Sequence, residues 1–211
     1  MIHLSKQVVA IALALLAAPA FFAQNAAKSG GPVTLQSAAR RGLVEYTFAG
    51  TGASSGDSVR LTVGKTPQAS GRSLTLTVPA GSMLRSADAG SQSMVVSAVH
   101  GLDLGGGRIR PMSQIYLGGS TPVTVVLLAF CAEFEKENPS PGAAFTLEEP
   151  NPMLACIARQ GRDLSIQAQQ AAVWIQTDSI TYEHMRQKFQ VGPGDWTAAQ
   201  GVVEHCRSIV H

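Results

Sequence analysis

The chain predicts an α+β fold: an N-terminal antiparallel β-sandwich or barrel-like portion followed by a C-terminal helical portion. Three observations carry this reading. Apolar residues alternate with polar ones at period two through residues 43–130. Gly- and Pro-rich breaks fall between these short runs, at the spacing of an all-β domain. Beyond Cys131 the apolar period lengthens to that of helices.

In chain order, the first strand sets Val44, Tyr46 and Phe48 against Glu45 and Thr47. A second sets Val59, Leu61 and Val63 against Arg60 and Thr62, and a third Leu74, Leu76 and Val78 against Thr75 and Thr77. Residues 64–71, with Pro67 and two terminal glycines, read as a hairpin loop joining the second and third. Further strands are predicted at 94–99, 109–117 and 123–130, with turns at Gly105-Gly106-Gly107 and Gly118-Gly119; Pro111 makes the 109–117 strand an edge or bulged one. Helices are predicted at 152–160, 165–177, 181–189 and 193–210, the last with Pro193 in a first-turn position.

The division of the chain follows from these patterns. Residues 1–23 have the layout of a secretory signal peptide: one positive residue, an unbroken apolar run over 8–18, then small residues around Pro19. Residues 24–42 read as a flexible Ala/Gly/Ser-rich lead-in, 43–130 as the β-rich portion and 131–211 as a mainly helical portion. No later apolar run reaches the ~20 residues of a membrane helix, so no integral membrane segment is expected after cleavage. A secreted or cell-surface location, outside the cytoplasm, follows as the expectation. The formal net charge of +2 offers no global field for nucleic acid. It hides an asymmetry: residues 24–130 hold nine basic and four acidic side chains, and residues 131–211 hold six and ten. Two portions of opposite sign are expected to attract each other.

An exporting route leads to an oxidising compartment, where cysteines pair. Three cysteines leave one over. Cys156 in the first helix and Cys206 in the last would close a loop of about fifty residues around the helical portion, a sensible staple, although the other two pairings remain open. Cys131 is then the odd thiol, at the end of the apolar run 123–130 and beside Glu133 and Glu135, which oppose thiolate formation. A buried, inert core cysteine is one reading of it. A cysteine-dependent hydrolase is another, but none of the histidines stands in a catalytic motif, and a surface position suits His184. No Cys/His spacing matches a zinc site and no acidic spacing matches a calcium loop, so no metal or cofactor is expected.

A third reading starts in the 165–177 helix. Gln170 lies four residues after Ile166, three before Val173 and four before Trp174, so its amide shares the apolar stripe, whereas Gln169 and Gln176 fall on a more polar face. An inward amide needs hydrogen-bond partners or a covalent fate, since leaving it unsatisfied costs about 1–3 kcal/mol. Phe130-Cys131, followed by Gln170-Ala171-Ala172-Val173-Trp174 and Thr177-Asp178, resembles the thioester domains of bacterial surface proteins over residues 125–180. Gln169 stands where that family usually has Thr. The resemblance implies that the Cys131 sulfur and the Gln170 carbonyl join in an internal thioester with release of ammonia, and that Phe130, Val173 and Trp174 pack around the bond. It implies a non-enzymatic binding or adhesion-type module that captures an amine on an extracellular protein or surface. The alternative is a structural secreted domain with an unreactive cysteine.

Overall fold

A computed structural model of the chain describes residues 31–210. The proposed signal peptide and residues 24–30 of the proposed lead-in lie outside this span. The elements run β1 (Val33–Thr34), α1 (Leu35–Arg40), β2 (Val44–Gly50), β3 (Ser55–Lys65), β4 (Leu74–Thr77), β5 (Ser82–Ser86), β6 (Met94–Asp103), β7 (Ile109–Pro111), β8 (Ile115–Leu117), β9 (Val123–Cys131), β10 (Phe145–Pro150), then α2 (Pro152–Gln160), α3 (Ile166–Thr177), α4 (Tyr182–Met185) and α5 (Pro193–Ile209). The fold is mixed α+β, with a nearly closed antiparallel sheet and helices at the C-terminal end.

The large sheet has the order β10-β5-β6-β9-β3-β2, with β7 as a side branch on β6. β9 lies between β3 and β6, which explains why it reads Val-Thr-Val-Val-Leu-Leu-Ala-Phe-Cys with hardly a polar interruption: a central strand covered on both faces gains from apolar side chains everywhere. The ends of this sheet approach each other. A bridge joins Ala49 of β2 to Ala144 beside β10, and the Gly50 N–H donates to the Ala143 carbonyl at 2.8 Å. A second sheet of three strands, β1-β4-β8, contributes Leu76, Ile115 and Leu117 to the same core.

Several elements depart from the sequence reading, each for a local reason. β3 and β4 do not form a hairpin. Pro67 starts a 3₁₀ turn, Gly71 takes φ +75°, and the chain leaves the large sheet so that β4 pairs with β8 and β1. The 109–117 strand is two short ones, β7 and β8, and Pro111 sits on β7, which pairs only with β6. Within the span read as a flexible lead-in, Thr34 caps α1 by accepting the Ser37 N–H, and Leu35 and Ala38 are fully buried. The helix expected at 181–189 is a single turn, α4, after which the chain carries Phe189 towards Trp174.

The portion from residue 131 onward is not helical throughout. β10 alternates buried Phe145 and Leu147 with exposed Thr146 and Glu148 and pairs with β5, so the later part of the chain completes the sheet of the earlier part. Arg85 meets Glu148 and Glu133, and Arg40 meets Glu149, so opposite charges of the two portions face each other across this junction. α2 packs beside β6 and against Gly81, just before β5; the Gly81 φ is +80°, and a Cβ there would collide with the backbone of Ala155. Cys156 of α2 and Cys206 of α5 form a disulfide, with Cα atoms 5.8 Å apart. α3 packs against α5, α2 and the end of β9.

Candidate functional site

Cys131 is the last residue of β9 and is fully buried. As the sheet ladder ends there, its backbone still has to be satisfied. Gln170 does this. Its Oε1 accepts the Cys131 N–H at 2.9 Å, a proton shared with the Ser54 carbonyl at 3.1 Å, and its Nε2 donates to the Cys131 carbonyl at 2.8 Å. The carboxamide thus behaves as a peptide group added to the strand. Gln170 itself has no exposed surface.

The sequence reading placed Gln170 on the apolar stripe of its helix, and the helix turns that stripe onto β9. Gln169 is also buried, contrary to expectation, because its Nε2 folds back to the Leu164 carbonyl at 2.9 Å, just before the Ser165 N-cap. Two turns further on, Asp178 Oδ1 accepts the Phe134 N–H at 3.2 Å, so α3 holds residues 131–134 at both ends. Thr177 supports this carboxylate: its hydroxyl donates to Asp178 Oδ2 at 2.7 Å, a proton shared with the Val173 carbonyl at 3.0 Å. Trp174, between the two anchors, meets Phe134 and Phe189 edge-on, with ring centroids 5.0 and 5.2 Å away. Phe130 and Val173 are buried in the same core.

The Cys131 thiol lies 3.6 Å from Met94 Sδ on the neighbouring strand. Burial, and then the nearby Glu133 carboxylate, push its pKa up to about 12, so it is a neutral thiol at physiological pH. Glu133 is itself fixed by the Ser93 N–H at 2.5 Å and by Lys136 at 3.2 Å. His184 Nε2 pairs with Glu135 at 2.9 Å and His100 with Asp57 at 2.6 Å. Among the described residues, no histidine is hydrogen-bonded to Cys131 Sγ.

Beside the pair, a cavity of about 210 Å³ is lined by Ser54, Gln92, Phe134, Trp174, Lys188, Phe189 and the polar stretch 135–138. Lys188 Nζ stands 5.2 Å above the Phe134 ring and pairs with Glu135 at 2.5 Å. That hydrogen bond, chiefly, holds the Glu135 carboxyl below the usual carboxylate range. The sequence singled out Cys131, Gln170 and Trp174; Phe134, Ser54 and Gln92 carried no signal of their own.

Among the described residues no group of three or more His, Cys, Asp or Glu side chains is placed to hold a metal ion, and no helix is long and apolar enough to cross a membrane. No family model matches the chain, and neither a curated protein nor a solved structure does.

Proposed function

We propose that the chain is an exported, non-enzymatic binding or adhesion-type module whose Cys131 and Gln170 form an internal thioester that captures an amine on an extracellular partner. One observation carries the reading: the Gln170 carboxamide is seated on the backbone of the very residue that bears the free thiol. In the forming step, the Cys131 Sγ–Gln170 Cδ bond is made and the Cδ–Nε2 bond is broken. The thiol proton leaves with the nitrogen as ammonia. The Cys131 N–H donates to the carbonyl oxygen on which negative charge develops during attack, which lowers the barrier. Burial disfavours a thiolate but exacts no such penalty from a neutral thioester, and it keeps water away from the bond. A primary amine then attacks Cδ, an amide forms, and Cys131 regains its proton as a thiol. Each molecule reacts once.

A second reading has its own support. Both ends of the Gln170 amide are hydrogen-bonded and the thiol is held neutral, which suits a permanent clamp between helix and sheet with an unreactive cysteine. Intact mass of the exported protein separates the two. The thioester predicts a chain lighter by one ammonia, restored in Cys131→Ala, and a methylamine adduct mapping to Gln170. A chain of full mass whose Cys131 alkylates once the protein is unfolded removes the thioester. A disulfide to Cys131 would remove both readings, and steady turnover of an ester or amide would point to a hydrolase instead.

A further inference from the structure

Acidic residues are spread unevenly along the chain: no Asp or Glu occurs in residues 1–44, 58–87 or 104–132. Those stretches contain all three strands of the small sheet, β1, β4 and β8, and the loops that lead into and out of them. They also contain Lys65 and Arg72, and among the described residues neither of these forms an ion pair. The local field is therefore positive, although the whole chain carries only +2.

Tyr116, in the middle of β8, stands on this surface. It is 58% exposed, the most open large hydrophobic side chain among the described residues. Exposure does not leave it loose. Its ring passes across Gly118, where a Cβ would come within 2.8 Å of Cε1 and 3.3 Å of Cζ, and its hydroxyl donates to Ser73 Oγ at 3.3 Å. Thr75, opposite Tyr116 in the ladder, shares its face. The cations are fastened to the same spot. Lys65 Nζ donates to the carbonyls of Arg72 at 2.7 Å and Gly118 at 3.2 Å, which leaves one ammonium proton unused, and Arg72 is exposed beside Ser73. Glu45, the nearest acid in the ladder, is opposite Gly64 and projects from the other face of the sheet, since Lys65 lies opposite Val44. The cation–ring contacts among the described residues involve Tyr182 and Phe134, so neither Lys65 nor Arg72 covers the Tyr116 ring.

Two unpaired cations beside a fixed, open aromatic ring are the complement of a sugar ring that bears a carboxylate. The C–H groups of a pyranose stack on the negative face of an aromatic ring. A hexuronate holds its carboxylate at the ring edge, where an Arg fork and a Lys point charge can meet it. A lipid surface fits less well. Tyrosines that anchor in a bilayer present the ring and its polar tip to the headgroup level, whereas this ring lies along the protein and gives its hydroxyl to Ser73.

We propose that the outer face of the small sheet binds a uronate-bearing polysaccharide, with Tyr116 stacking on a sugar ring and Lys65 and Arg72 pairing with its carboxylate. Lys65 follows Val63, which pairs with Val123 at the start of β9, whereas Cys131 ends that strand. The nine residues of β9 put roughly 26 Å between the two ends, so the site is independent of the bond between Cys131 and Gln170.

The test is calorimetric titration of the disulfide-bonded protein at low salt with a hexamer of galacturonate, and separately with the same hexamer fully methyl-esterified. The expected result is saturable binding of the acid form that weakens as salt is added. The ester, with the same rings and no charge, should bind at least tenfold more weakly, a comparison that needs no variant to fold. Tyr116→Ala and Arg72→Gln should each weaken binding at least tenfold. Tyr116→Phe, which keeps the ring, and Arg162→Gln, which removes an exposed charge elsewhere, should bind as the unaltered protein does. The proposal is overturned if the acid hexamer does not bind saturably, if ester and acid bind alike, or if Arg162→Gln weakens binding as much as Arg72→Gln. It is also overturned if phosphatidylglycerol vesicles or a thymidine oligonucleotide bind more tightly than the hexamer and lose that binding in Tyr116→Ala, since the surface would then belong to lipid or nucleic acid.

Discussion

Replacing Gln170 with Leu tests whether its amide acts as the end of the β9 ladder. The experiment belongs in the Cys131→Ala background, where no thioester can form and the backbone groups contacted by Gln170 remain. Two buried hydrogen bonds would be lost, worth about 1 kcal/mol each in net terms, and the Cys131 carbonyl would lose its side-chain donor at about another 1 kcal/mol. The N–H at that position keeps the Ser54 carbonyl at 3.1 Å, so it adds no orphan cost. Leu buries more apolar surface than Gln and returns roughly 1 kcal/mol. The expected net loss is about 2 kcal/mol, a fall in Tm of ~4–8 °C for a chain of this size. Urea unfolding of Cys131→Ala against Cys131→Ala/Gln170→Leu measures it, with a lowered midpoint and an unchanged slope. A loss below about 0.5 kcal/mol would refute the ladder account, because two satisfied buried bonds cannot be removed so cheaply.

Two further outcomes follow. Replacing both Cys156 and Cys206 with Ser opens a loop with a sequence separation of 50 and should cost up to about 4 kcal/mol by the loop-entropy estimate; equal urea midpoints for the two forms would show that the bridge constrains nothing. The Cys131 thiol gives a signed pH dependence. Its pKa is raised from 9.0 to about 12, so the stability it confers is complete below pH 9 and lost as pH rises from there towards 12, by about 1.4 kcal/mol per unit at most. Stability of the unmodified thiol form minus that of Cys131→Ala should therefore decline above pH 9, and a flat difference would contradict a buried neutral thiol.

Much of the sheet was legible because half-buried strands announce themselves by alternation, as in Val59, Leu61 and Val63, all with no exposed surface. Pairing was not legible. β9 meets β3 and β6 across long stretches of chain, and nothing in the spacing of Leu74 and Leu76 says that β4 belongs to another sheet. β10 is masked by its acidic end: Glu148 and Glu149 are exposed, yet Phe145 and Leu147 beside them face the core. Gln170 could be found because an amide on an apolar helix face conflicts with its surroundings. Its partners could not, because they are the backbone groups of Cys131, which no side-chain pattern encodes. Gln92 sits just before β6 with no periodicity around it, so only its burial reveals it.

The near-meeting of β2 and β10 has a consequence for the molecule among its neighbours. An open seven-stranded sheet would present two rows of unpaired N–H and carbonyl groups, a template on which another chain could add as a strand. The bridge from Ala49 to Ala144 and the bond from Gly50 to Ala143 turn those rows towards each other. What remains at the margins is brief: β7 has three residues and ends in Pro111, and the small sheet ends in β1 and β8, of two and three residues. Self-association through strand addition is therefore disfavoured by shape, before any charge comes into play.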